Sequence, residues 1–250
     1  MSEPSIARLF PLPGEEGLGD EQLLALYGDV PHTPWLRVNF VSSLDGAATR
    51  QGLSGGLSDD ADRRVFDLLR RLCDVVVVGA GTVRAEGYGA MRVDEASQRA
   101  RSAAGLSAHP VFAVISASLD LDPASPLFRE APERPIVVTT EIARADTKEA
   151  LSEVADVEVC GRDRVEPERL VRLLSDRGLT RIHCEGGPHL FGDLIAAGAV
   201  DELCLTLSAT LEAGSATRIA AGASPIVPTE LGLAHVLQSG DTLLLRYVRR

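Results

Sequence analysis

Apolar residues recur along the chain in two alternating rhythms. Short runs suited to strands lie at 36–41, 74–79, 111–115, 135–139, 181–184 and 202–207. The consecutive valines Val75, Val76, Val77 and Val78 suit a strand buried on both faces. Between these runs lie segments of helical period. Residues 60–73 carry Val65, Leu68, Leu69 and Leu72 on one face, and 147–154 and 167–177 follow the same rule. Residues 188–195 open on Pro188, at a first-turn position where proline's missing N–H has no partner to lose. The chain closes with 230–238 and 242–248, split by Ser239, Gly240 and Asp241, which is a hairpin pattern. Strand–helix alternation ending in an antiparallel hairpin predicts one α/β domain over 35–250, with a mixed, mostly parallel central sheet flanked by helices. Residues 1–34, rich in proline, glycine and acidic side chains, predict an N-terminal extension that lies on the domain or is partly mobile, helical only at 22–27. Residues 92–109, polar and alanine-rich, predict a surface excursion.

Composition changes this picture little, but charge and cysteine usage narrow the chemistry. A chain of 250 residues with 45% apolar and 24% charged residues has an ordinary globular make-up and enough length for a large core. A net charge of −11 argues against nucleic acid as a partner, because binding there rests on Lys and Arg neutralising phosphates. Lys148 is the only lysine, which disfavours a Schiff-base mechanism. Cys73, Cys160, Cys184 and Cys204 lie far apart in apolar surroundings, as buried free thiols of a reducing cytosol would. His32, His109, His183, His189 and His235 are scattered and predict no metal site. No run of membrane-spanning length and no signal pattern is present, so a cytoplasmic protein without membrane attachment is expected.

Four junctions carry candidate chemistry. The strand 181–184 runs into Glu185-Gly186-Gly187 and then a proline-started helix. Paired glycines there let the backbone approach a ligand, and the helix start offers free N–H groups to a phosphate. The strand 74–79 ends in Gly79-Ala80-Gly81, with Thr82 placed to cap a short helix. Each turn alone reads equally well as plain strand–helix geometry; two at the same sheet edge favour a nucleotide phosphate site. The third junction, Ser42-Ser43-Leu44-Asp45-Gly46, brings one carboxylate to that edge, or is a turn. The fourth, Ser54-Gly55-Gly56-Leu57-Ser58-Asp59-Asp60, leads into the helix of Arg63 and Arg70. Ser58 or Asp59 is its natural N-cap, or a carboxylate there holds the amidine-like edge of a pteridine or pyrimidine. Arg63 and Arg70 share a helix face and bind a substrate phosphate or pair with neighbouring aspartates.

In order and spacing, Ser43-Leu44-Asp45-Gly46, the segment from Asp74 to Val83, Glu185-Gly186-Gly187 and Val200-Asp201-Glu202-Leu203 resemble the riboflavin-biosynthesis pyrimidine reductases. The stretch from Thr82 to Gly89 resembles their stand-alone actinobacterial branch. The resemblance implies a dihydrofolate-reductase-like fold, a homodimer, and NADPH as hydride donor for reduction of 5-amino-6-(5-phosphoribosylamino)uracil. By the same resemblance, Gly79, Gly81, Thr82, Val83, Ser116, Glu185, Gly186 and Gly187 are cofactor positions. Ser54, Arg63, Arg70 and Glu86 are substrate positions, and Asp45 and Asp59 are the candidate catalytic acids. Two departures stand out. Ala47 replaces the basic residue that many members carry, and Gly56-Leu57-Ser58-Asp59 replaces an aromatic-then-threonine stretch. A carboxylate at the start of the substrate helix is also how dihydrofolate reductases hold a pterin, so reduction of a pteridine is the alternative activity. A non-catalytic NADPH-binding regulator is the alternative of a different class.

Overall fold

The structure, a computed structural model, describes residues 4–31, 33–222 and 228–250; His32 lies outside them. The elements run β1 (Ala7–Phe10), α1 (Asp20–Gly28), β2 (Trp35–Ser43), α2 (Asp60–Leu72), β3 (Val75–Gly79), α3 (Ala80–Glu86), α4 (Glu95–Ala103), β4 (Val111–Ile115) and α5 (Pro126–Arg129). They continue with β5 (Ile136–Thr139), α6 (Ala145–Ser152), β6 (Asp156–Val159), α7 (Pro167–Asp176), β7 (Arg181–Cys184), α8 (Pro188–Ala196), β8 (Glu202–Ser208), β9 (Leu231–Ser239) and β10 (Thr242–Arg249). No helix among the described residues is long and apolar enough to cross a membrane.

The strands among the described residues join one ten-stranded sheet in the order β1-β9-β10-β8-β2-β7-β3-β4-β5-β6. Strands β8, β2, β7, β3, β4, β5 and β6 are mutually parallel, while β10 runs antiparallel to both β8 and β9. The expected mixed sheet with an antiparallel C-terminal end is therefore present. Parallel alignment brings the carboxyl ends of β2, β3, β4, β7 and β8 to one edge, where open α/β sheets collect ligands.

Alternation along the buried strands fills both faces of the sheet. Val75 and Val77 of β3 join Val38, Leu170, Leu174, Cys184 and Phe191 under α7 and α8. Val76 and Val78 point the other way, to Val83, Phe112, Leu127 and Leu151 under α3, α5 and α6. A third cluster seats α2 through Ala61, Val65, Leu68 and Leu69 against Leu237 and Leu244 of the terminal strands.

Three segments differ from the sequence reading. Within 1–34 the structure adds a strand that the reading lacks: β1 pairs antiparallel with β9, and Ile6, Leu18, Leu23 and Tyr27 are buried beside α2. Four residues with two exposed positions carry too little periodicity to announce a strand. The segment is also held by polar bonds. Arg246 donates to the carbonyls of Leu26 and Asp29, and Arg37 donates to that of Tyr27. Both guanidiniums meet Glu202, whose Oε1 lies 2.8 Å from each Nε. Strand β6 was likewise unannounced, since its Asp156 and Glu158 break the apolar run. Finally, the 92–109 excursion contains α4, whose buried Arg101 donates to the carbonyls of Arg70, Arg71 and Cys73. A cation there answers the orphan carbonyls at the end of α2.

Candidate active site

A cavity of about 490 Å³ opens at the carboxyl edge of the sheet. Its floor is Asn39, Phe40 and Val41 of β2, and Glu185, Gly187, Pro188 and His189 form one wall. Helix α2 supplies the opposite wall through Asp62, Phe66 and Arg70, spaced four residues apart and so stacked on one face. The same helix turns Ala61, Val65, Leu68 and Leu69 into the core, so burying its apolar stripe aims its polar stripe at the cavity. Gly81, Thr82, Ala85, Glu86 and Tyr88 line it from α3 and beyond, and the loop before α2 adds Ser54, Gly55 and Ser58.

The densest charge in this wall is a closed cluster around Glu185. Its side chain is 1% exposed and takes both arms of Arg70, with Nε to Oε1 at 2.7 Å and Nη2 to Oε2 at 2.8 Å. Tyr88 Oη donates to Oε2 at 2.9 Å. The Arg70 guanidinium also lies 4.3 Å from the Phe66 ring centroid. Burial works to raise the Glu185 pKa, but Arg70 outweighs it and holds the carboxyl below its ordinary value. His183, 3.6 Å from Glu185, is driven down to about 4 by burial and stays neutral at neutral pH. The wall is thus a preorganised ion pair whose donors and acceptors are already satisfied.

The remaining expected positions divide between the cavity and other duties. Gly79 N donates to Gly186 O at 2.8 Å, which locks the two glycine turns together. Gly186 has φ +94°, and a Cβ there would meet Phe40 Cζ at 2.9 Å, so both backbone and space demand glycine. At Gly187 a Cβ would lie 2.2 Å from Thr82 Oγ1. Gly187 caps α8 with no side-chain acceptor, leaving the first-turn amides beside the cavity free for an anion. Gly81 faces open space. Thr82 lines the cavity but does not cap α3; Gly79 holds the cap position, and Thr82 sits inside the first turn. Val83 points into the core beneath the sheet. Ser116, just past the end of β4, is buried and accepts from Leu119 N, outside the cavity lining.

On the substrate side, Ser54 N donates to Glu86 Oε1 at 2.7 Å, tying the loop before α2 to α3. Arg63 sits at the mouth, its side chain 58% exposed and paired with Asp60. Arg70 is committed to Glu185 rather than free for a phosphate. Ala47 is buried, and its N–H bonds Ser43 Oγ, so the position serves the turn.

Both expected acids are held by protein partners outside the cavity lining. Asp45 is exposed and clamps two loops, accepting from Ser43 Oγ and from the N–H groups of Glu212 and Ala213. Those bonds, Ser43's first, lower its pKa to about 2. Asp59 caps α2, accepting from Asp62 N at 2.8 Å with one oxygen and from Thr242 Oγ1 at 2.5 Å with the other. With both oxygens engaged and neither residue in the lining, the first helical turn presents a different carboxylate, Asp62. Asp62, Asn39, Phe66 and Tyr88 are among the lining residues that sequence reasoning did not name as site residues. The four-residue spacing of Asp62, Phe66 and Arg70 was the available signal, but it overlaps the apolar stripe of the same helix. Phe66 also returns an aromatic ring to the site, which the Gly56-Leu57 departure had removed from the loop.

The family model for the RibD C-terminal domain matches residues 34–245. The chain belongs to this family. Among curated relatives, the 2,5-diamino-6-ribosylamino-4(3H)-pyrimidinone 5′-phosphate reductase of Archaeoglobus fulgidus is 29% identical over 171 residues, covering 68% of this chain and 78% of the relative. The riboflavin biosynthesis protein RibD of Mycobacterium tuberculosis is 27% identical over 192 residues, which span 76% of this chain but 45% of that longer protein. The crystal structure of a pyrimidine reductase-like protein from Corynebacterium diphtheriae superposes with a TM-score of 0.83 at 27% identity, covering 93% of this chain and 99% of the other.

Proposed function

We propose that this chain is an NADPH-dependent reductase of a 5-amino-6-(5-phosphoribosylamino)pyrimidine in riboflavin biosynthesis, acting as a cytoplasmic homodimer. The observation that carries the reading is one cavity, in a pyrimidine reductase family member, flanked by a glycine-turn wall with free helix amides and a polar face of α2. The donor set suits a dinucleotide. The uncapped amides of His189 and Leu190, just past Pro188, fit a pyrophosphate, and Gly81 leaves open space beside them. NADPH held by these groups would supply the hydride, and solvent the proton, for reduction of the ribosyl C1′ and opening of the C1′–O4′ bond to a ribityl chain. The protein's own contribution is alignment and exclusion of water. Phe40 and Phe66 supply apolar walls, the Glu185–Arg70–Tyr88 cluster fixes one side rigidly, and Arg63 stands at the mouth for the substrate phosphate.

The dimer reading rests on the C-terminal strands. Their inner face buries Glu202, Arg246 and His235, while Leu205, Leu207, Leu243 and Leu245 point outward only partly covered. Register pairs Leu245 with Leu205 and Leu243 with Leu207, giving a contiguous apolar stripe suited to a second copy.

The test is NADPH oxidation by the purified protein, offered the aminopyrimidine ribosyl phosphate and dihydrofolate in parallel. Stoichiometric turnover of the former is expected. Turnover of dihydrofolate alone refutes the pyrimidine assignment, and tight NADPH binding with no turnover of either makes the chain a binding protein.

A further inference from the structure

Among the described residues, the cavity wall holds a buried carboxylate with no ion-pair partner of its own. Asp62, in the first turn of α2, is 7% exposed and lines the cavity. Its partners are two hydroxyls: Ser58 Oγ donates to Oδ2 at 2.6 Å, and the Thr206 hydroxyl bonds it as well. The nearby guanidiniums on the same helix are engaged elsewhere, Arg63 with Asp60 and Arg70 with Glu185. A carboxylate offers about four lone-pair positions, so two hydroxyls leave acceptor capacity open to the cavity. Helix capping does not need Asp62, because Asp59 already accepts the amide of residue 62. Core packing does not need it either, because residues 61, 65, 68 and 69 provide that face. Burying an unpaired carboxylate is costly unless donors complete it. Burial accordingly raises the Asp62 pKa, against the two hydroxyl bonds, and a ligand with paired N–H groups would relieve that cost.

Taking the cavity as the pyrimidine site, we propose that Asp62 reads the edge of the ring, accepting N3–H and a 2-amino N–H together, so that this chain prefers a 2-amino-4-oxopyrimidine to a uracil. The amino ring presents two parallel donors that match the two carboxylate oxygens in a charge-assisted fork. A uracil presents N3–H flanked by two carbonyls, and one carbonyl oxygen would face a carboxylate oxygen, an acceptor against an acceptor. The substrate implied by the sequence resemblance is the uracil form; the carboxylate selects the other ring.

The experiment compares wild type, Asp62→Asn and Asp62→Ala on two substrates, 2,5-diamino-6-ribosylamino-4(3H)-pyrimidinone 5′-phosphate and 5-amino-6-(5-phosphoribosylamino)uracil. Wild type favours the diamino substrate in kcat/KM by roughly a hundredfold or more, the discrimination expected when a buried polar group is left facing the wrong edge. Asparagine offers one donor and one acceptor, which complements the uracil edge. Asp62→Asn therefore loses the diamino preference at least about tenfold, mostly in KM, while the uracil value holds or rises. Asp62→Ala loses the preference with no gain on uracil. A purely structural residue would lower both substrates together, so an unchanged ratio in Asp62→Asn overturns the proposal, as does a wild-type preference for uracil. Calorimetric titration of the same two compounds onto cofactor-free protein reads the ratio without turnover. Inactive protein that still shows the ratio, and loses it in Asp62→Asn, overturns the reductase reading and supports the Asp62 assignment. Protein that binds neither compound overturns both.

Discussion

Replacing Arg70 by alanine removes the guanidinium that answers a carboxylate only 1% exposed. Both oxygens of Glu185 lose a hydrogen bond shorter than 3 Å, leaving Tyr88 Oη as donor to one of them. His183 cannot stand in as a cation at neutral pH, because burial holds its pKa near 4. Deleting one partner of a buried pair costs about 3–5 kcal/mol, since the other charge stays desolvated. For a chain of this size that corresponds to a fall in Tm of roughly 6–20 °C. The effect carries a pH signature whose sign follows from the folded-state pKa values. In the wild type, Arg70 holds the Glu185 carboxyl below its ordinary value against the larger pull of burial. Its contribution is therefore complete above the unfolded pKa of ~4.3 and is lost as pH falls through the folded value. In Arg70→Ala, burial is left opposed chiefly by the Tyr88 hydrogen bond, and the carboxyl rises above its unfolded value. The variant's penalty is then complete at neutral pH and shrinks as pH falls through that raised value. The stability gap should accordingly be widest near pH 8 and narrow steadily toward pH ~4.5. Urea unfolding of both proteins across that range measures it. A gap below about 1 kcal/mol at pH 8, or one that does not change with pH, would refute the picture of Glu185 as a buried charge that depends on Arg70.

Three further outcomes are expected. Gly187→Ala should lower stability by about 1–3 kcal/mol, because its Cβ would lie 2.2 Å from Thr82 Oγ1. Adding Thr82→Ala should recover most of the lost Tm, and failure to do so would place the strain elsewhere. Asp59→Ala should cost about 1 kcal/mol in thermal unfolding as a lost N-cap, with kcat nearly unchanged; a large fall in kcat with little change in Tm would return Asp59 to the chemistry. Leu245→Asp should convert a dimer to a monomer in light scattering, since the residue lies in the outward stripe beside Leu205. A dimer that survives this change does not use that face.

Much of the molecule was legible because its core strands are short, continuous apolar runs. Val111–Ile115 and Arg181–Cys184 coincide with their sequence runs, and α2 differs from 60–73 by one residue at its end. Strands β1 and β6 were not legible, because edge strands of four residues draw on pairing partners for stability and carry little pattern of their own.

The same division holds at the site. Sequence alone determined the two glycine junctions, the order of elements that brings strand ends to one edge, and the stripe on α2, since each depends on local backbone needs and periodicity. Only tertiary structure decided which carboxylates do what. Asp45, Asp59, Asp62 and Glu185 are alike as residues, and their roles come from partners that are mostly distant along the chain. Thr242 takes up Asp59, the Glu212 and Ala213 amides take up Asp45, Arg70 neutralises Glu185, and Asp62 keeps two hydroxyls and an open side. A carboxylate's chemistry is set by its burial and its donors, and those are fixed when the fold brings the distant segments together.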